Sequence, residues 1–469
     1  MTDHTPIWDL TALQLAGRYR TGQLRPSDAV AAIEQRIEAA NPAINAIIAR
    51  DSDALQRAAR QADARWQAGK PFSPLDGVPI TIKDNIHVAG LPARWGSRAH
   101  EHDRPDADEP AIRRLRAAGL LMLGKTNVPE FTLQGYTDNA LFGPTFNPLA
   151  PGRTPGGSTG GGAAAVAAGF GPIAIGTDGG GSIRRPAAHC GLWGFKPSIG
   201  TVARAGGFPA ILHDFEVIGP VTRDAADLAA ILAIMAGPDE ADPRSRGAYE
   251  PDDALPPHPR ILAFSTVGGA PVDPCIADVF AGLVRRLENL GWPVKRTTEP
   301  FDAAGTNAIW HTVAQAGLAW HVNRHLTGRE TSENTRKMAE AGLAVSSAHY
   351  IDALVGAQQA RALARQIFEH ADLLVSPTIA ALAWDARQPY PGTIDGQDVG
   401  PRGHAVFTAW ANVAGLPALN VPLALTADGG GIGVQIIAAP GRDRALVDFA
   451  ASTLSQLALA PLIPSRILP

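Results

Sequence analysis

A chain of 469 residues that is 45% hydrophobic and 18% charged can bury a large core, which excludes a disordered chain with long tails. Its 41 basic and 45 acidic residues leave a formal charge of −4, so no broad footprint for nucleic acid or an anionic membrane is expected. A small, roughly neutral substrate is the expectation. Cys190 and Cys275 are too few for a disulfide framework, and a reducing, cytoplasmic compartment is expected. Met1 to Leu10 carries His4, Pro6 and two aspartates where a signal peptide needs basic residues and then an apolar run, so no export signal is expected. The most apolar stretches, such as Gly161 to Ile175, are too short for a bilayer helix of about 20 residues.

In chain order, Val30, Ile33 and Ile37 lie on one helical face, with Ser27 as the expected cap and Asn41-Pro42 as the expected end. Val78 to Ile82 is short, β-branched and apolar, and reads as a buried strand that delivers Lys83 at its end. Ile112 to Gly119 reads as a helix and Leu120 to Leu123 as a second buried strand, the alternation that α/β layering requires. Between Asn147 and Gly162 lie three prolines and six glycines, a loop signal, followed by an Ala-rich helix over 163–168 and a strand over 172–175. Gly176 to Ser182 holds four glycines and is expected to form a backbone-exposing turn. Pro238 to Pro259 is dense in Pro, Asp and Arg and reads as an exposed seam. Beyond it, Ile261 to Phe264, Leu373 to Val375 and Val434 to Ile437 read as strands, and Ala277 to Leu290 as a helix, with no internal repeat.

Two motifs invite other readings. Gly119 to Thr126 fits the phosphate-loop pattern G-x-x-x-x-G-K-[ST], but its variable positions are strand residues and Pro129 follows where a helix is needed. Gly156-Gly157-Ser158-Thr159-Gly160 fits the nucleophile elbow G-x-S-x-G, which requires a preceding strand. Pro148, Pro151 and Pro155 forbid a regular central strand there, and none of the 13 histidines can be tied to Ser158.

Together the motifs carry more. The run Gly156 to Gly161, followed 24 residues after Ser158 by Ser182 within Gly176-Thr177-Asp178-Gly179-Gly180-Gly181-Ser182-Ile183-Arg184, resembles the amidase signature. The resemblance extends back through Gly77 to Asn85 and through Gly124-Lys125-Thr126-Asn127 with Glu130-Phe131. It extends forward through Cys190-Gly191, Gly194 to Ser198, Gly219-Pro220, Pro377-Thr378 and Gly415 to Pro422. Ordered motifs over about 350 residues are far more specific than any single glycine pattern.

The resemblance implies an α/β fold, a large, mixed, twisted central β-sheet covered by helices on both faces. The whole of 1–469 would then be one domain, with N-terminal helices to about 65, a signature core over about 70–236, and a C-terminal half over about 260–469 that contributes to the substrate pocket. It implies an amide hydrolase without metal or cofactor, in which Ser182 is the nucleophile, Ser158 relays its proton after a cis peptide bond, and Lys83 is the base. A free lysine near pKa 10.4 is charged at neutral pH, so burial must lower it by about 3 units. The oxyanion would be held by the N–H groups of Gly179, Gly180, Gly181 and Ser182, with Asp178, Arg184 and Thr159 in support. Thr159 stands where a second serine is usual. Gly179 stands where a larger residue is common, and its missing side chain is expected to enlarge the acyl side. Trp95, Phe131, Tyr136, Phe142 and Ile183 are expected to line the pocket, with further contributions from around Trp310 and Trp320. The expected partner is a small amide-type molecule, with neither nucleic acid nor membrane, and a homodimer is admitted. The same family contains the A subunit of tRNA-dependent amidotransferases, which is one alternative role; esterase or urethanase activity on the same triad is the other.

Overall fold

The structure, a computed structural model, describes residues 5–245, 254–462 and 464–467. The N-terminal half supplies β1 (Ile47–Ala49), β2 (Pro79–Lys83), β3 (Leu121–Thr126), β4 (Ile173–Asp178), β5 (Trp193–Lys196) and β6 (Val217–Thr222). The C-terminal half adds β7 (Ile261–Ala263), β8 (Val294–Arg296) and β9 (Leu373–Pro377). A separate two-stranded hairpin, β10 (Thr393–Ile394) with β11 (Gln397–Asp398), precedes β12 (Ala418–Leu425) and β13 (Gly431–Ala438).

Among the described residues, eleven strands form one mixed sheet in the order β1-β3-β2-β4-β6-β5-β12-β13-β9-β7-β8. The two halves meet where β5 pairs antiparallel with β12, Lys196 opposite Ala418. Successive strand residues point to opposite faces. Ile173 and Ile175 of β4 enter one apolar cluster with Leu228 and Ile231, whereas Ala174 between them enters another with Ala163 and Val166. The sheet is therefore packed on both faces, and its central strands read as continuous apolar runs for that reason.

Several local expectations are corrected. The second helix runs over Pro26–Ile44 with Pro26 in its first turn and Arg25 at its cap, so Ser27 lies inside it. It continues through Pro42 to a left-handed Asn45, whose side chain donates to the Phe142 and Pro144 carbonyls. The glycine-rich turn begins later than expected, because β4 keeps its ladder with β6 through Asp178. The phosphate-loop look-alike is strand β3, and Lys125 is buried with its ammonium donating to the Ile86 carbonyl at 2.5 Å. The seam between 238 and 259 is described only up to 245 and from 254.

Candidate active site

β2 lies between β3 and β4 and is parallel to both, with Ile82 opposite Ile175. Lys83 and Asp178 are the last residues of β2 and β4, so polar chemistry gathers at the carboxyl ends of neighbouring parallel strands, the usual ligand edge of such sheets. This register brings the fully buried Lys83 Nζ to the Thr177 carbonyl oxygen at 3.0 Å and the Thr177 hydroxyl at 2.8 Å. Its third neighbour is Ser158 Oγ at 2.9 Å. Asn85 closes the group by donating to Thr177 Oγ1 at 3.1 Å. Burial pushes the Lys83 ammonium down to about 7, against the opposing pull of Glu216 and Asp178.

Ser158 is carried by the loop before the helix Gly160–Ala168, and the Gly157–Ser158 peptide is cis. A side chain at Gly157 would meet the Tyr136 carbonyl oxygen at 2.3 Å, so only glycine lets these two backbones approach. The two serines are tied through the backbone, where the Thr159 N–H donates to the Ser182 carbonyl at 3.0 Å. Thr159 Oγ1 donates to the Thr177 carbonyl at 3.1 Å, and its methyl group fills the space where Gly176 lacks a side chain. No hydrogen bond joins the two serine hydroxyls, and the Ser182 hydroxyl has no side-chain partner among the described residues. Ser158 is 1% exposed and Ser182 7%, so Ser182 is the one a substrate can reach.

The turn Gly179–Ser182 is clamped from behind. Asp178 accepts from Arg184 through a two-pronged pair, Nε to Oδ2 at 3.0 Å and Nη2 to Oδ1 at 2.9 Å, with both side chains fully buried. Asn412 Nδ2 and the Ile183 N–H also donate to this carboxylate. Burial alone would raise its pKa, but Arg184, Lys196 and Asn412 outweigh it and hold Asp178 well below the usual carboxylate range. The Gly181 N–H also donates to Asp178 Oδ1, at 2.7 Å. Of the four amides expected to face an oxyanion, Gly181 is thus spent on the clamp, which leaves those of Gly179, Gly180 and Ser182. Gly181 sits at φ +112°, a conformation open to glycine, with Thr408 Oγ1 2.2 Å from where a side chain would begin. Removing the carboxylate with Asp178→Ala strands Arg184 as a buried, uncompensated cation. The expected loss is about 3–5 kcal/mol, read as a lower urea midpoint; an unchanged midpoint would show that Asn412, Gln435 and the Thr408 carbonyl suffice for Arg184.

The expected pocket residues do not gather in one place. Trp95 and Phe131 pack edge-to-face at 5.3 Å, and Phe208 stacks on Trp95 at 4.5 Å. Their cluster reaches the glycine turn through Leu212 and Trp310, whose indole N–H donates to the Gly179 carbonyl at 2.7 Å. Tyr136 is half-buried, with its backbone against Gly157. Phe142 stands apart under the Arg94 guanidinium. Ile183 is directed away from the site. It is wholly buried in the cluster of Ala163, Val166 and Val221, its Cδ1 3.1 Å from where a Gly219 side chain would begin. The extra room expected at Gly179 is also filled, since a Cβ there would lie 2.4 Å from Leu212 Cδ1.

No histidine hydrogen-bonds to Ser158 or Ser182 among the described residues, and His189 is held neutral by burial, with its pKa down to about 3. Among them there is also no group of three His, Cys, Asp or Glu placed to hold a metal ion, and no helix is long and apolar enough to cross a membrane. Sequence reasoning gave no role to Thr408, Asn412 and Gln435, which reach the turn from more than 220 residues away. Thr177 was visible only as a hydroxyl within the glycine-rich run.

A serine hydroxyl against an amine whose pKa is brought down to about 7, beside a second serine on a turn of free amides, is equipped for acyl transfer. Comparison with known proteins agrees. Residues 28–447 match the Amidase family. The chain is 35% identical to an acylamidase of Rhodococcus erythropolis over 96% of both chains. It is 34% identical to a glutamyl-tRNA(Gln) amidotransferase component of Moorella thermoacetica, over 97% of this chain and 96% of that one. The solved structure of a bacterial aryl acylamidase of the amidase signature family superposes with a TM-score of 0.87 at 27% identity, over 98% and 99% of the two chains. The chain belongs to the amidase family and is an amidase-signature enzyme, an amide hydrolase.

Proposed function

We propose that this chain hydrolyses a small carboxylic amide, or a related acyl C–N bond such as an anilide or carbamate, through an acyl-enzyme on Ser182. The observation that carries this is Lys83, pushed down to about 7 and 2.9 Å from Ser158 Oγ. A neutral amine has two N–H groups and one lone pair. Thr177 supplies two acceptors for the N–H groups, so the lone pair is left for the Ser158 hydroxyl. Lys83 draws the proton of Ser158 as Ser158 draws that of Ser182, and the tightening of the serine–serine contact comes with substrate, as catalytic hydrogen bonds commonly do. The Ser182 oxygen attacks the carbonyl, and the amides of Gly179, Gly180 and Ser182 hold the resulting oxyanion. The proton returns along the same path to the leaving amine, and water then releases the carboxylate.

The resemblance to the Moorella amidotransferase component favours a second reading, an ammonia-releasing member of a larger assembly. The purified chain separates the two: hydrolysis of simple amides without ATP or partner supports the first, whereas silence on the amide panel with fluorophosphonate labelling retained supports the second. Exhaustive dialysis against chelator is expected to leave amide hydrolysis unchanged, because no step of this chemistry uses a metal. A loss restored specifically by zinc would contradict that.

A further inference from the structure

The glycine turn has an excess of positive charge. Asp178 is committed to Arg184, and Glu216 to Arg204 and Asn85. Arg185 and Arg402 face the same turn and have no carboxylate within ion-pair distance among the described residues. Arg185 is partly satisfied: its Nε donates to the Gly181 carbonyl at 3.3 Å, and its Nη1 lies 3.2 Å from His404 Nε2. Arg402 is not. Its Nη2 is shut off from solvent with no hydrogen-bond partner, and no acceptor among the described residues takes any of its guanidinium N–H groups. Burial and then the like charge of Arg185 push its pKa down to about 9, which leaves it cationic at neutral pH.

The guanidinium is also held in place. It lies 3.8 Å from the centroid of the Trp310 ring, a stacking that uses its face and leaves its edge free to donate. Trp310 is in turn fixed to the turn by its 2.7 Å hydrogen bond to the Gly179 carbonyl. Nη2 comes within 3.5 Å of where a Gly180 side chain would begin, so Gly180 keeps open the approach between the guanidinium and the turn. Arg402 is part-buried overall, but a guanidinium edge cut off from water with no acceptor is costly, and its natural complement is an anion that arrives with the ligand.

We propose that Arg402 anchors a carboxylate of the substrate, so that the preferred amide carries an acidic group a few atoms from the bond that is cut. This rests on the reading of the Gly179–Ser182 turn as the acyl-transfer site. It also amends the expectation from net charge, since the field at the turn differs in sign from that of the whole chain.

The test uses two matched substrate pairs. Glutaryl-4-nitroanilide against pentanoyl-4-nitroanilide places the acid on the acyl side, and N-acetyl-4-aminobenzoate against acetanilide places it on the amine side. The wild-type chain is expected to favour the acidic member of one pair by about 10- to 100-fold in kcat/KM, as a charge-assisted hydrogen bond supplies. In Arg402→Gln the acid-to-neutral ratio should fall to near one, through KM, and Arg402→Lys should recover part of it. A residue that merely propped up Trp310 would lower both members together, in kcat. Equal treatment within both pairs, or no turnover of either acidic member, overturns the carboxylate anchor. Failure of a fluorophosphonate to label Ser182 in the wild-type chain would instead count against the hydrolase reading.

Discussion

Ser182→Ala is expected to abolish covalent labelling by a fluorophosphonate and to lower amide turnover by several orders of magnitude. The size of the effect follows from the geometry of the turn. Ser182 is the more exposed of the two serines and its hydroxyl is uncommitted, while its own amide and those of Gly179 and Gly180 remain unpaired by the clamp on Asp178. Removing that oxygen takes away the proposed nucleophile and leaves the proposed oxyanion donors, so only the residual catalysis of binding and charge stabilisation would survive. The fold should not register the change, because no hydrogen bond of the described chain uses the Ser182 side chain. Near-wild-type thermal unfolding with lost labelling is the expected pair of results. Labelling retained in Ser182→Ala and moved to Ser158 would reverse the roles of the two serines and restore the elbow reading of Gly156 to Gly160.

What could be read from the sequence was whatever is local. β2 and Lys83 at its end follow from five residues of β-branched and apolar character, and the phosphate-loop look-alike fails on the same grounds, because its variable positions build β3. What escaped depends on partners distant in the chain. Gly179 read alone suggests empty space, but Leu212 from a later loop fills it. Ile183 is expected in the pocket, yet the fold puts its side chain in the core. Gly181 looks like an oxyanion donor until Asp178 reaches back for its amide. Arg402 carries no local motif at all; its meaning comes from the absence of a counter-ion, which only the folded neighbourhood reveals.

In the proposed mechanism Lys83 is the residue on which the proton path turns, and its chemistry makes two measurable statements. With the ammonium at about 7, kcat/KM should rise with pH through an apparent pKa near 7 and level off above it, since the deprotonated amine is the active form. A profile flat from pH 5 to 9 would remove Lys83 from the path. The second statement is about stability. An unfolded lysine titrates near 10.4, so burying Lys83 as a neutral amine costs roughly 4 kcal/mol at neutral pH, the equivalent of about 3 units of pKa. Lys83→Met removes that cost and keeps an unbranched side chain of similar reach, leaving unmade the contacts to the Thr177 carbonyl and hydroxyl and to the Ser158 hydroxyl. The variant should therefore unfold at no lower temperature than the wild type while its kcat/KM falls by several orders of magnitude. Lys83→Arg should fail as well, since a guanidinium stays protonated across the usable range. A folded Lys83→Met enzyme with near-normal kcat/KM at neutral pH would place the base elsewhere, and among the described residues no second amine hydrogen-bonds to Ser158 or Thr177 to take its place.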